Sequence, residues 1–320
     1  QWGSDVLSRL QAAADGQAEK LAEAVRTALA EGIGQLGRKL GKAPQGIWAA
    51  GNTAMEHLLM RLDTASLGRY PFTPVSLEEM ELLPEPEYKG PRIGLLPGIS
   101  AFVGADIAAG LLACGFGERR EESCRLFIDL GTNGEMAAAG KGRLICTATA
   151  AGPAFEGGAA ANVPGTDMIA LLAEMLETGI IDESGLLEDA YFEKGWQKGA
   201  LRITQQDIRA LQMAKAAVCA GVELLMEALE IGASDVEQVF LAGGFGYYLD
   251  VEKAARIGLF PAELADKVTA VGNTSLLGTC LYGGDPSLRE KTKDLCRRSE
   301  VMNLAEQPGF EERYLARLNF

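Results

Sequence analysis

The sequence is poor in the residues that clustered metal and redox centres need. Among 320 residues there is one histidine, His57, and no two cysteines stand as a CxxC pair. Iron–sulfur clusters are held by several closely spaced cysteines, so this sequence predicts no cluster. Isolated cysteines in apolar surroundings favour free thiols in a reducing compartment. The six cysteines are Cys114, Cys124, Cys146, Cys219, Cys280 and Cys296.

Basic charge and long apolar runs are also scarce. The 44 acidic residues outnumber the 30 basic ones, which gives a net charge of −14. Nucleic acids and anionic membranes both attract basic surfaces, so neither is expected as a partner. No stretch of about 18 apolar residues and no signal-peptide pattern occur, which predicts a cytoplasmic protein.

Two common nucleotide-binding patterns are missing. The chain has no GxxxxGK[ST] motif, which excludes a P-loop, and no GxGxxG after an apolar strand, which argues against a dinucleotide-binding fold. It has instead two glycine loops, each of which follows a short apolar run.

The first glycine loop lies in IDLGTNGE. Leu126 to Ile128 predict a buried strand that ends in Asp129, and Glu135 to Ala139 predict a returning strand. Glycine amides, together with Thr and Asn side chains, can donate to phosphate oxygens, and a strand-end carboxylate can hold hydrated Mg²⁺. The alternative is a plain Gly–Asn hairpin with Asp129 as a turn residue. The candidate phosphate contacts are Gly131, Thr132, Asn133 and Gly134.

The second glycine loop lies in VFLAGGFG. Val239 to Leu241 predict a strand, and a helical pattern follows the glycines. A strand, a glycine loop and a helix N-terminus together suit a nucleotide. The candidate adenosine contacts are Gly243, Gly244, Phe245 and Gly246. Actin-like ATPases and sugar kinases use a DxGTxG and LAGGFG pair in this order to hold ATP between two domains.

Longer motifs carry a more specific resemblance. In chain order, nearly the whole sequence carries the motifs AGNTAMEHLL, FVGADIAAGLL, IDLGTNGE, ATAAGPAFEGG, FLAGGFGYYLD and VGNTSLLG. They resemble the reductive activators of corrinoid-dependent methyltransferases. In that family an ATP-binding core of the acetate-kinase, sugar-kinase and actin superfamily is joined to an iron–sulfur domain, and the protein returns a cobalt(II) corrinoid to cobalt(I).

The resemblance implies an ATPase-type activase that uses ATP and Mg²⁺. Its partner would be the corrinoid protein of a methyltransferase system, and a homodimer is compatible with it. Asp129 and Glu156 would be the catalytic residues, with Asp129 on the metal and Glu156 either orienting the attacking water or closing its loop. A turn carboxylate is the alternative for Glu156. Gly152 and Gly157 would complete the nucleotide loop.

The same resemblance implies an α/β fold of two ribonuclease-H-like domains. We expect residues 1–120 to form the first domain and residues 121–320 the nucleotide-binding domain. The first domain lacks the family's initial DxGTT hairpin. The family's iron–sulfur cluster is expected only on a domain that this chain does not contain.

Three other functions remain open on the sequence. A small-molecule kinase of the same fold would share both glycine loops. An activator of 2-hydroxyacyl-CoA dehydratases is a related alternative, although the cysteines that hold the bridging cluster in such activators have no obvious counterpart here. A non-catalytic, nucleotide-gated adaptor would dock a corrinoid protein without turnover.

The longest predicted helix runs from about Gln205 to Glu230. Thr204 and Asp207 predict a capping box at its start, and Gly232 is expected to end it. Lys215 lies inside this helix, where a surface lysine is favoured over a phosphate contact.

The tripeptide GNT occurs twice, at Gly51 and at Gly272, each time after an apolar run and before a helical pattern. Gly–Asn favours a strand-to-helix turn with Thr near the cap.

His57 follows the first GNT, and we expect it to pack rather than to catalyse. Asp106 lies at another predicted helix start, where its charge suits the helix dipole.

Overall fold

The computed structural model describes residues 5–44, 46–84, 90–117, 123–131, 133–152, 165–199, 201–243 and 249–320. The helices and strands are, in chain order, α1 (Val6–Ala12), α2 (Ala18–Leu40), β1 (Ile47–Ala49), α3 (Thr53–Leu59), β2 (Met80–Leu82), β3 (Ile93–Leu95), α4 (Ala105–Ala113), β4 (Cys124–Leu130), β5 (Gly134–Gly140), β6 (Arg143–Thr149), α5 (Gly165–Glu177), α6 (Asp189–Phe192), β7 (Trp196–Lys198), β8 (Leu201–Ile203), α7 (Gln205–Ala228), β9 (Val236–Ala242), α8 (Val251–Arg256), β10 (Val268–Gly272), α9 (Thr274–Gly284), α10 (Pro286–Arg298), β11 (Glu300–Val301) and α11 (Phe310–Ala316).

The chain divides into two compact units. Unit 1 comprises residues 1–117 and 274–298, and unit 2 comprises residues 118–273 and 299–320. The first boundary lies close to residue 120, where the sequence motifs divide the chain. Helices α9 and α10, however, belong to unit 1, whereas the division at residue 120 places them with the second domain.

Unit 1 is built on a small sheet with the strand order β1-β3-β2. Strands β1 and β3 are parallel, and each leads through a loop into a helix, α3 and α4 respectively. Helices α4 and α9 pack so closely that a Cβ added to Gly278 would lie 1.8 Å from the carbonyl oxygen of Ala109. Only glycine fits at this crossing, where a late segment of the chain packs against α4 within unit 1.

Unit 2 is built on a sheet with the order β10-β9-β4-β5-β6-β11. Strands β4, β5 and β6 form an antiparallel meander, and β9 and β10 run parallel to β4. One face of β4 and β5 carries Leu126, Ile128 and Met136 into the main apolar core. The core continues through α5 and α7, which cover this face. The two strands predicted around Asp129 and the strand predicted before Gly243 are therefore confirmed.

Helix α7 begins as the sequence predicts but ends differently. The Thr204 amide donates to Asp207 Oδ2 at 2.8 Å, and the Asp207 amide donates to Thr204 Oγ1 at 3.3 Å, which is the predicted capping box. At the other end the helix stops at Ala228, and Glu230 takes the left-handed conformation with φ of 54°. The prediction that Gly232 ends the helix is wrong, because the chain has already turned at Glu230.

Both GNT tripeptides form strand-to-helix turns, as predicted. Asn52 caps α3 by accepting the Met55 amide at 2.9 Å, and Gly272 has φ of 67° directly before α9.

Within the described ranges, no helix combines the length and the apolar composition needed to cross a membrane.

Candidate functional site

The two glycine loops begin at the same edge of the unit 2 sheet. Strand β4 pairs in parallel with β9, and Asp129 lies opposite Ala242 in this pairing. Gly243, the first glycine of the second loop, follows Ala242 directly. Because the carboxyl ends of parallel strands meet at one edge of a sheet, a ligand bound there contacts both loops. The sheet therefore brings Asp129 and Gly243 together, although they are far apart in the sequence.

Gly243 approaches the end of β4 more closely than any other residue type could. Its φ is 104°, and an added Cβ would lie 2.5 Å from the carbonyl oxygen of Leu130 and 3.2 Å from Asp129 Oδ1. The Gly243 amide donates to the carbonyl oxygen of Gly272 at 3.0 Å, which fixes this approach. Because Gly243 has no side chain, its backbone lies directly beside the Asp129 carboxylate.

The hairpin loop after Asp129 is short and internally bonded. The Gly131 amide donates to the carbonyl oxygen of Asn133 at 3.0 Å, so this amide closes the loop in the observed conformation. Gly134 is already a buried residue of β5, and an added Cβ would lie 3.0 Å from Val218 Cγ2 of α7. Glycine at position 134 therefore has a packing reason of its own.

Strand pairing also brings a second carboxylate to the site. Glu135 lies directly opposite Asp129 and is only 8% exposed. On its other side Glu135 faces Ala148 of β6. From the sequence alone, Glu135 is expected only as the start of a strand. Counting outward from a three-residue loop would have paired it with Asp129, because the closing pair is Leu130 and Gly134.

Half of the sequence-predicted site residues lie outside the described residues. Gly152 is described, with φ of 69° and no atom within 4 Å of an added Cβ, so its backbone conformation alone favours glycine. The predicted contacts that lie outside are Thr132, Glu156, Gly157, Gly244, Phe245 and Gly246.

Lys215 is buried, and the interpretation of it as a surface lysine is wrong. Its side chain lies in the interior of unit 2 at 1% exposure, because α7 is covered there by the C-terminal residues. Nζ donates to the carbonyl oxygen of Asn319 and lies 5.1 Å from the centroid of the Phe320 ring. Burial lowers the pKa of Lys215 to about 8.

His57 has the packing role expected from the sequence. It is fully buried, and its Nε2 accepts the Val75 amide at 3.0 Å. Nδ1 lies 2.8 Å from the carbonyl oxygen of Thr53. An amide can only donate, so Nε2 is unprotonated and Nδ1 carries the proton that it donates to Thr53. Burial lowers the pKa of His57, which keeps the ring neutral.

Two carboxyl groups meet beside the first GNT turn in unit 1. Glu56 Oε1 accepts the Gly51 amide at 3.4 Å, and Asp106 Oδ1 accepts the Ile107 amide at 3.0 Å. Burial raises the pKa of Asp106 to about 6 and raises the pKa of Glu56 well above its usual range, and the nearby Asp106 charge raises it further. Desolvation therefore outweighs the helix dipole that the sequence suggested for Asp106.

The described residues offer few other candidate metal ligands. Each of the six cysteines lies in the described part of the chain as a free thiol. Across those same residues, no group of three or more His, Cys, Asp or Glu side chains converges to hold a metal ion. Asp129 and Glu135 are a cross-strand pair, and no third such side chain joins them in the described part of the chain.

The fold and the paired strand-end loops define a mixed α/β protein of the actin-like class. A profile described as the RACo middle region matches residues 1–119. A second profile, described as the C-terminal domain of RACo, the ASKHA domain, matches residues 123–162 and 159–320. The chain therefore belongs to the RACo family.

Individual relatives agree with this assignment. The corrinoid activation enzyme RamQ of Eubacterium limosum is 31% identical over 100% of this chain and 64% of its own length. The [Co(II) methylated amine-specific corrinoid protein] reductase of Methanosarcina barkeri is 28% identical over 56% of this chain and 42% of its own length. A solved structure of a reductive activator for corrinoid, iron-sulfur protein is 28% identical with a TM-score of 0.88, over 100% of this chain and 60% of that one. The chain thus spans less than two thirds of each of these relatives.

Proposed function

We propose that this chain is the ATP-binding core of a reductive activator of corrinoid proteins. The observation that carries the proposal is the convergence of Asp129 and Gly243 at one sheet edge. Membership of the RACo family and the names of the relatives, which describe corrinoid activation and corrinoid protein reduction, support it.

The residues at the sheet edge suit a magnesium nucleotide. Mg²⁺ prefers oxygen ligands, keeps several waters and binds through one or two carboxylates together with phosphate oxygens. Asp129 supplies such a carboxylate at a strand end, and the Cβ position of Gly243 lies 3.2 Å from its Oδ1. When bound, the ion would neutralise charge on the phosphate oxygens.

The remaining roles follow from position. Thr132, Asn133 and Gly134 would hold the phosphates, and Gly131 would join them once its amide exchanges the Asn133 carbonyl oxygen for a phosphate oxygen. Gly243, Gly244, Phe245 and Gly246 would line the adenosine. Glu156 would orient the attacking water or close its loop, and Gly152 and Gly157 would complete the nucleotide loop.

ATP would serve to bias a conformational equilibrium. Reduction of a cobalt(II) corrinoid to cobalt(I) is uphill for ordinary biological donors, so the activator must favour a complex in which the electron can be transferred. A ligand shifts such an equilibrium only by its different affinities for the two states. The electron would come from an iron–sulfur cluster, for which no CxxC pair in this sequence offers ligands.

Capture of a corrinoid protein tests the proposal. The immobilised chain is incubated with a purified cobalt(II) corrinoid protein from the same organism, with Mg-ATP, with Mg-ADP and without nucleotide. We expect the captured amount to depend on the nucleotide, and the difference to disappear in Asp129→Asn. Capture that is equal under all conditions would contradict the proposal. Nucleotide-dependent capture without ATP hydrolysis would instead identify a nucleotide-gated adaptor.

A further inference from the structure

We propose that the short hairpin of unit 2 carries a binding site for a small organic oxyanion, whose phosphate or carboxylate group is held by Lys194 and Arg202. The hairpin consists of β7 and β8, which form a two-stranded sheet of their own. The two glycine loops belong to the separate, six-stranded sheet. The proposed site is therefore independent of the nucleotide site.

An open cavity of about 510 Å³ lies beside this hairpin. Small-molecule sites usually have volumes of about 300–1,000 Å³. In the described part of the chain, no aspartate or glutamate lines the cavity, although the sequence as a whole has 44 acidic and only 30 basic residues. The cavity of this acidic protein is thus cationic. The residues that give the lining its chemistry are Tyr191, Lys194, Trp196, Gln197 and Arg202.

The side chain of Arg202 is held in place by its neighbours. Its Nε donates to the carbonyl oxygen of Lys194 at 2.6 Å. Gly195 makes room for it, since a Cβ at that position would lie 3.1 Å from Arg202 Nε. Within the described residues, the terminal nitrogens Nη1 and Nη2 make no hydrogen bond or ion pair. A guanidinium that is anchored through Nε and keeps both terminal nitrogens available suits the oxygens of a carboxylate or a phosphate.

Lys194 brings a second positive charge to the same cavity. It is exposed, and its ammonium group makes no ion pair among the residues that the structure describes. Lys198, on the same hairpin, is by contrast paired with Glu174 at 2.6 Å. Two cations that line one cavity without a carboxylate repel each other, and a bound anion would relieve this repulsion.

The rest of the lining suits the organic part of the ligand. Gln197 is the direct cross-strand partner of Arg202, so both side chains lie on one face of the hairpin, and the Gln197 amide can donate to a further oxygen. Tyr191 and Trp196 pack against the main apolar core and also line the cavity. A planar group attached to the anion would therefore meet aromatic residues.

Calorimetric titration with inorganic phosphate, phenyl phosphate and benzoate tests the site, with and without Mg-ADP. We expect phenyl phosphate to bind at least tenfold more tightly than inorganic phosphate, whether or not Mg-ADP is present. The comparison with benzoate shows whether the site prefers a phosphate or a carboxylate. Lys194→Gln and Arg202→Gln should each weaken the binding of phenyl phosphate at least tenfold. Lys198→Gln is the matched control, because it removes the same charge from the same hairpin outside the lining, and its affinity should equal that of the wild type.

Two further variants refine the test. Arg202→Lys keeps the charge but not the forked donor group, and it should also weaken binding. Tyr191→Leu keeps an apolar side chain without the ring, and it should reduce the preference for phenyl phosphate over inorganic phosphate.

Several results would overturn the inference. These are the absence of phenyl phosphate and benzoate binding at millimolar concentration, and unchanged binding in Lys194→Gln, whose exposed side chain is not needed for folding. Equal affinities for phenyl phosphate and inorganic phosphate would identify a solvated basic surface that attracts any anion. Loss of phenyl phosphate binding in Mg-ADP would place the probe at the nucleotide site. A failure of ADP to bind would contradict the proposed function and would not affect this site.

Discussion

The Cβ position of Gly243 lies 3.2 Å from Oδ1 of Asp129, across the boundary between two parallel strands. This close approach brings together two loops that are more than a hundred residues apart in the sequence. It also makes the site sensitive to a single methyl group, because the carbonyl oxygen of Leu130 lies closer still, at 2.5 Å.

Gly243→Ala should destabilise unit 2 and abolish nucleotide binding. The added methyl group clashes with the Leu130 carbonyl oxygen, and φ of 104° is unfavourable for alanine. We expect a loss of about 2–4 kcal/mol in the free energy of unfolding, measured with urea. Gly142→Ala is the control, because Gly142 has φ of 78° but no atom within 4 Å of an added Cβ, and it should cost only about 1 kcal/mol. Equal losses in both variants would show that the contact with β4 is unimportant.

His57→Leu should destabilise unit 1 more at pH 7.5 than at pH 5.5. The variant leaves the Val75 amide without its acceptor, at a cost of about 1–3 kcal/mol. The folded-state pKa of His57 is lowered, so the unfolded chain binds the proton first, and wild-type stability falls as pH drops below about 6.5. His57 is the sole histidine of the sequence, so the pH dependence of the difference isolates this group. A difference that is constant from pH 5.5 to 7.5 would contradict the neutral, hydrogen-bonded ring.

Asp106→Asn should gain stability relative to the wild type as pH rises. The folded-state pKa of Asp106 is raised to about 6, so the folded chain binds the proton more tightly, and wild-type stability falls as pH rises from about 4 through 6. Asparagine does not titrate, and we expect its relative gain between pH 5 and pH 8 to be about 1–2 kcal/mol. Asp285→Asn is the control, because hydrogen bonds from Ser287 lower the pKa of Asp285 and place its effect below this window. No relative gain in Asp106→Asn would show that its carboxyl group is well solvated.

The local pattern of the sequence predicted much of the site's framework. Apolar runs before Asp129 and Gly243 predicted the strands β4 and β9, and the Thr204–Asp207 pair predicted the start of α7, because these signals depend on neighbouring residues. The fold class and the family followed from the order of the motifs along the chain.

The features that the sequence did not predict depend on contacts between residues far apart in the chain. Helix α9 joins unit 1 through the approach of Gly278 to Ala109, which no local pattern signals. Lys215 is buried because the C-terminal residues Asn319 and Phe320 cover it, about a hundred positions away. The position of Glu135 opposite Asp129 depends on a strand register that the local sequence pattern does not define.

Calorimetric titration of the wild-type chain with Mg-ATP and Mg-ADP tests the central claim most directly, with Mg-GTP and the variants Asp129→Asn and Glu237→Gln alongside. Glu237→Gln is the control, because it removes an exposed charge from the opposite end of β9. We expect saturable binding with a preference for adenine nucleotides in the wild type and in Glu237→Gln. Asp129→Asn should bind at least tenfold more weakly with Mg²⁺ while its melting temperature stays close to that of the wild type, because it loses charge but not shape. The absence of ATP and ADP binding at millimolar concentration, or a Mg²⁺ dependence that persists in a destabilised Asp129→Asn, would contradict the assignment of this sheet edge as a magnesium nucleotide site.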